Sequence, residues 1–185
     1  MAGILKVDKY QDFNGNDIMT SDGAGNITLS SNMNTAVAAG SNNTPAFFVR
    51  RQDQSITENS FVKIIFSTED IDTDSAFDTA TGRFTVPSGK AGKYYFSTTV
   101  GLDAMGANHF YYGEIKFYKN GSALSMNSSL NYANGYGAQG SVALSTIQDL
   151  SVGDYIEIYA YLDDAVDTTV KVNNACFSGY KIIGT

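Results

Sequence analysis

The chain has no tryptophan, one histidine and one cysteine among its 185 residues, and only 17% of it is charged. Each shortage removes a class of function. A single His109 and a single Cys176 leave no partners for a histidine-based triad, a tetrahedral zinc site or a Cys–His nucleophile. Cys176 alone cannot close an intrachain disulfide, so folding is expected to be independent of oxidation. No tryptophan is present to form a platform for a sugar ring. Runs of Lys or Arg are also missing, and a net charge of −7 opposes binding to a nucleic-acid backbone. No apolar stretch is long enough to cross a bilayer as a helix, and MAGILKVDKYQ does not read as a secretory leader. Nucleophile-elbow, phosphate-loop and Rossmann patterns are absent; Gly23-Ala24-Gly25 lies in a hairpin-like stretch with no helix to follow.

What remains is rich in Gly, Asn, Ser and Thr, with 12 Tyr and 11 Phe, the composition of an all-β protein. Residues 1–44 differ from the rest. Short apolar pieces, ILKV, IM and Ile27-Thr28-Leu29, alternate with Asn14-Gly15-Asn16 and Ser21-Asp22-Gly23 turns, a β-hairpin pattern too small to be stable alone. Such a segment must lie against the rest of the chain, a sister chain or another protein. Ser30 to Thr44 is small, polar and almost uncharged, and reads as a linker.

From Pro45 onward, strand-like runs follow one another at short intervals. AFFVR and FVKIIF come first, joined by a polar connection from Gln52 to Asn59. Residues 110–119 alternate, with Tyr111, Ile115 and Phe117 on one side and Phe110, Tyr112, Glu114, Lys116 and Tyr118 on the other. Asp154 to Leu162 sets Ile156, Ile158, Ala160 and Leu162 on one face, Tyr155, Glu157, Tyr159 and Tyr161 on the other. The aliphatic face suits a sandwich core, and the tyrosine face suits a subunit contact or an aromatic-rich surface. SMNSSLNYANGYGAQG, residues 125–140, reads as a loop, and Tyr132 and Tyr136 make it a candidate contact loop.

Carboxylates cluster twice. Asp70, Asp72 and Asp74 alternate within Glu69–Asp74 and are weak candidates for calcium, although the Gly and Glu of a calcium-hand loop are replaced by Ser75 and Thr81. Asp163, Asp164 and Asp167 form a second group. An inverting glycosidase could use two such carboxylates, but nothing selects a pair, and a hydrolytic role is the least favoured reading.

One stretch has a recognisable spacing. Phe66 is followed by Asp72, Phe77 and Phe84, and then by Gly92-Lys93-Tyr94-Tyr95-Phe96. Downstream come Tyr118-Lys119-Asn120-Gly121, Leu150-Ser151-Val152-Gly153-Asp154 and Phe177-Ser178-Gly179-Tyr180. Together these motifs resemble the globular head of complement C1q, within the tumour-necrosis-factor-like jelly rolls, over residues 45–185. Two features depart from that pattern: the interval from Phe84 to Gly92 is longer, and Thr98 stands where an aromatic is expected. The resemblance implies a two-sheet antiparallel jelly-roll sandwich that forms homotrimers. Phe66, Phe77, Phe84, Tyr94, Phe96, Phe177 and Tyr180 would then fill the core or pack between subunits. The opening 30 residues are similar to segments of phage virion and tail-fibre proteins.

The expectation is therefore a non-enzymatic, trimeric virion structural protein, a tail fibre or capsid decoration. Residues 1–44 would attach it to the particle, and a head at 45–185 would project toward a host receptor or glycan. No cofactor, nucleic acid or membrane insertion is expected. A secreted, extracellular recognition or signalling head is the alternative.

Overall fold

The computed structural model describes residues 7–31, 33, 43–105, 109–132, 137–164 and 169–182. Tyr136, Asp167 and most of the opening ILKV run and of the Ser30–Thr44 linker lie outside the described residues. The chain divides into two compact units, Met1–Asn42 and Asn43–Ile183.

The first unit is an antiparallel meander of β1 (Lys9–Gln11), β2 (Asp17–Ser21) and β3 (Ile27–Leu29), in that order across the sheet. Both turns use a left-handed glycine, Gly15 at φ 83° and Gly25 at φ 97°, which explains their Asn-Gly and Gly-x-Gly composition. None of its described residues is buried.

The second unit is a sandwich of two antiparallel sheets. One contains β12 (Gln139–Leu150), β9 (Gly92–Asp103), β14 (Thr169–Lys181), β4 (Ala46–Thr57) and β6 (Thr68–Asp72), in that spatial order. The other runs β11 (Ser122–Asn131), β10 (Phe110–Lys119), β13 (Tyr155–Asp164), β8 (Arg83–Thr85) and β7 (Phe77–Asp78), with β5 (Val62–Lys63) also paired to β13. This is the jelly-roll architecture expected from the sequence.

Period-two alternation sends one set of side chains from each sheet inward. Phe47, Phe66, Phe77, Phe84, Phe96, Phe117 and Phe177 form a continuous aromatic cluster between the sheets. Phe47 is central, 4.8 Å from Phe177 and 5.1 Å from Phe84, centroid to centroid. Phe84 in turn meets Tyr94 and Phe96, each at 5.3 Å. Tyr94 donates its hydroxyl to the Lys90 carbonyl, and burial pushes its phenol up to about 12. Thr98, the departure from the aromatic pattern, is buried and donates to the Cys176 carbonyl at 2.8 Å, tying β9 to β14.

Several local expectations are corrected. The polar connection after AFFVR is strand through Thr57, the acidic Glu69–Asp72 stretch lies in edge strand β6, and much of residues 125–140 is strand, through Asn131 and again from Gln139. Backbone pairing, rather than an apolar face, holds these polar segments in place. Within FVKIIF only Val62 and Lys63 join the ladder; Ile64 and Phe66 are nevertheless buried. Phe110 lies in the core with Ile115 and Phe117, because Phe110 opposes Asp164 while Tyr112 opposes Asp163. The extra residue, Tyr111, bulges and reverses the parity of the strand end.

Candidate interaction faces of the sandwich

Two of the sequence motifs meet in space. Asn120 and Gly121 turn the β10–β11 hairpin with φ values of 52° and 78°. The Asn120 amide nitrogen donates to Asp154 Oδ1 at 2.8 Å, while its carbonyl oxygen accepts from the Tyr155 backbone at 2.9 Å. Asp154 also accepts from the Ser151 N–H and pairs with Lys119 at 3.2 Å. These contacts, the Asn120 hydrogen bond foremost, hold the Asp154 carboxyl below the usual carboxylate range.

The acidic positions are engaged separately. Asp70 takes a bidentate pair from Arg50 at 2.5 and 2.8 Å, which lowers its pKa. Asp72 caps the loop leading to Phe77, accepting from the backbone of Ala76 and Phe77 at 3.0 and 3.1 Å. Asp74 pairs with Lys90 at 3.1 Å. Among the described residues no group of three or more His, Cys, Asp or Glu converges as a metal site.

The six-stranded sheet turns a tyrosine-and-charge face outward. Glu157, only 2% exposed, accepts on one oxygen from Lys63 at 3.1 Å and from Arg83 at 2.9 Å. The Arg83 guanidinium lies 3.7 Å over the Tyr155 ring, and Lys116 lies 4.5 Å over Phe61 while pairing with Glu114. Tyr118 and Tyr159 stack at 3.9 Å, Tyr112 donates to Glu114, and Tyr161 donates to Asn59. Partial burial raises the phenol pKa of Tyr112, Tyr159 and Tyr161. The face is thus laced to itself, each cation over a ring or against a carboxylate.

The five-stranded sheet turns out a face of different character. One row across it reads Ile147, Tyr95, Tyr180 and Ala46. The next reads Ser145, Ser97, Ser178, Phe48 and Ile71. The third reads Ala143, Thr99, Cys176 and Arg50. Arg50 is the one charged residue in these rows, and Asp70 neutralises it. Ile147, Ile71 and Tyr180 are 59%, 54% and 41% exposed, an unusual frequency of bare apolar side chains around a small-residue centre.

Of the aromatics singled out from the sequence, Phe66, Phe77, Phe84, Tyr94, Phe96 and Phe177 are buried within one protomer. Tyr180 is not; its ring lies 5.5 Å from Tyr95 on the flat outer face. Tyr132 packs 5.3 Å from Phe110 and donates to the Gln139 carbonyl at 3.2 Å, closing one end of the sandwich. Phe48, Tyr95, Ile71 and Ile147 were not singled out from sequence. Their signal was the outward partner in the doublets Phe47-Phe48 and Tyr94-Tyr95.

The model of the C1q domain matches residues 46–182. The chain belongs to the C1q domain family. The globular domain of zebrafish complement 1qA protein superposes with a TM-score of 0.55 at 18% identity, covering 75% of this chain and 98% of that one. The PRD1 vertex protein P5 superposes with a TM-score of 0.52 at 15% identity, covering 76% and 99%. At such identities the likeness is one of fold. A comparison with curated protein sequences gives no match.

Proposed function

We propose that this chain is a non-enzymatic, homotrimeric structural protein of a phage virion, with a C1q-like head that projects outward to bind a surface. The observation that carries the reading is the middle of the five-stranded sheet's outer face, centred on Ser97, Ser145 and Ser178 and flanked by Ile147, Tyr180 and Ile71, where Arg50 is the one charge and is paired with Asp70. Small residues at the centre allow close approach, and exposed apolar groups around them supply the area that association would bury. A trimer built on this face leaves the tyrosine-and-charge face of the six-stranded sheet outside, available to a host receptor or glycan. Three copies then turn weak single contacts into useful avidity.

The virion assignment draws on the likeness to the PRD1 vertex protein and on the separate N-terminal unit. Residues 1–44 attach the protein to the particle, and 45–185 form the head. Deleting residues 1–44 should leave a folded trimer that no longer co-sediments with particles; a truncated head that is incorporated normally would refute that assignment. The likeness to the complement globular domain supports an extracellular recognition head as the second reading. Recovery of the protein in culture medium, free of particles, would favour it.

A further inference from the structure

The N-terminal unit presents an apolar face that it cannot cover itself. In its meander Tyr10 opposes Met19, and Ser21 opposes Ile27, so Tyr10, Met19 and Ile27 share one side of the sheet. With Val7 they supply the apolar part of an open depression of about 400 Å³, whose rim includes Asp8 and Lys9. Val7, Tyr10 and Ile27 are 47%, 49% and 64% exposed. The opposite side carries Lys9, Thr20 and Thr28, which are opposed in register.

The turns, by contrast, are closed on themselves, and the same device occurs twice, ten residues apart. Asp12 accepts from the backbone of Asn14 and Asn16 and from the Asn16 side chain, each at 2.9 Å. Asp22 accepts from the backbone of Ala24 and Asn26 and from the Asn26 side chain, at 2.8, 3.1 and 2.6 Å. Asp17 is held by Lys9 at 3.0 Å and by Gln11 at 2.7 Å. The unit's polar loop groups are therefore occupied, and the apolar side is what it has to offer a partner.

We propose that this side packs against the same side of two further copies of the chain, so that residues 7–29 of three chains form one threefold stalk. The inference rests on the trimeric reading of the head. Only the thirteen residues Ser30–Asn42 lie between the last strand of the meander and the start of the second unit at Asn43. Even fully extended they reach no more than roughly 45 Å, so a trimeric head confines three such faces at an effective concentration in the millimolar range. Any other protein would have to compete from bulk solution. The carboxylates at Asp12, Asp17 and Asp22 are tied up away from the apolar row; Asp8 is the carboxylate that lines the depression, with Lys9 next to it. Three strands are also too few to enclose a core, whereas nine strands around an axis enclose Tyr10, Met19 and Ile27 on all sides.

The test uses the full-length chain with Cys176→Ser as background. Ile27→Cys and, independently, Tyr10→Cys place a thiol on the apolar side; Thr28→Cys places one on the opposite side. Each is treated with a short bismaleimide, and its mass is measured by light scattering. On a denaturing gel, covalent dimers, the largest product that one thiol per chain permits, are expected from Ile27→Cys and Tyr10→Cys, with none above background from Thr28→Cys. A trimer by mass in which all three positions cross-link equally, or none does, would overturn the stalk while leaving the trimeric head intact. A monomer by mass would remove both.

Discussion

At the residue scale, glycine and aspartate positions within the motifs have distinct physical jobs. A Cβ on Gly179 would lie 2.4 Å from Phe96 and 2.8 Å from Phe47, so the Phe-Ser-Gly-Tyr motif leaves room for two core rings to cross under β14. Gly179→Ala should destabilise the head by about 1–3 kcal/mol through overpacking, measured as a lower denaturant midpoint; an unchanged midpoint would contradict the packing account. Asp154 supplies a pH dependence. Its folded pKa is lowered by Asn120, the Ser151 amide and Lys119, so below the ordinary carboxylate range the unfolded chain binds the proton first. Stability from this group is fully present above the unfolded value, near 3.9, and is lost as pH falls through the lower folded one. Asp154→Asn should flatten that acid limb while weakening the hairpin contact at neutral pH, and a parallel pH profile would refute it.

At the scale of the element, the strands that bury side chains were legible and those held by backbone pairing were not. The alternation from Asp154 to Leu162 read directly as β13; the spacing of Phe66, Phe77 and Phe84 marked them for the core or a subunit contact without deciding between the two, and all three are buried in the single chain. Thr68–Asp72 and Ser122–Asn131 are edge strands with mostly exposed side chains, so no hydrophobic period marks them. The bulge at Tyr111 was hidden as well, since an inserted residue leaves the composition unchanged and only reverses which side is buried. The outer face of the five-stranded sheet escaped notice for a related reason. Its serines come from β9, β12 and β14, far apart in sequence, and become neighbours only in register.

Glu157 belongs to this scale because it joins three elements, β13, β8 and β5. Glu157→Gln should cost about 1–2 kcal/mol, well short of a fully buried pair because Lys63 and Arg83 remain partly in water. A double-mutant cycle with Arg83→Met would detect the coupling, and additive effects would deny it. Tyr132→Ala should cost about 1–2 kcal/mol through lost contact with Phe110, without changing the oligomer. With Tyr136→Ala it should also weaken host adsorption if that stretch forms the contact surface; unchanged adsorption would remove the stretch from consideration.

At the scale of the whole molecule, the two faces of the sandwich differ in what they leave unsatisfied. One face is charged, aromatic and satisfied within the protomer; the other has small residues at its centre and bare apolar groups around them, and the one charge in those middle rows, Arg50, is paired with Asp70. Calcium is not expected to govern assembly, because Asp70, Asp72 and Asp74 are engaged by Arg50, two backbone amides and Lys90. A chelator should leave the mass in solution unchanged, and dissociation on its addition would refute this. The most direct measurement is light scattering behind size exclusion, on the full chain and on Ser97→Arg, which sets an unpaired charge at the centre of the serine row. A species of about three times 19.9 kDa is expected for the full chain and a folded monomer for the variant. A monomeric full chain, or a variant that remains trimeric, would contradict this.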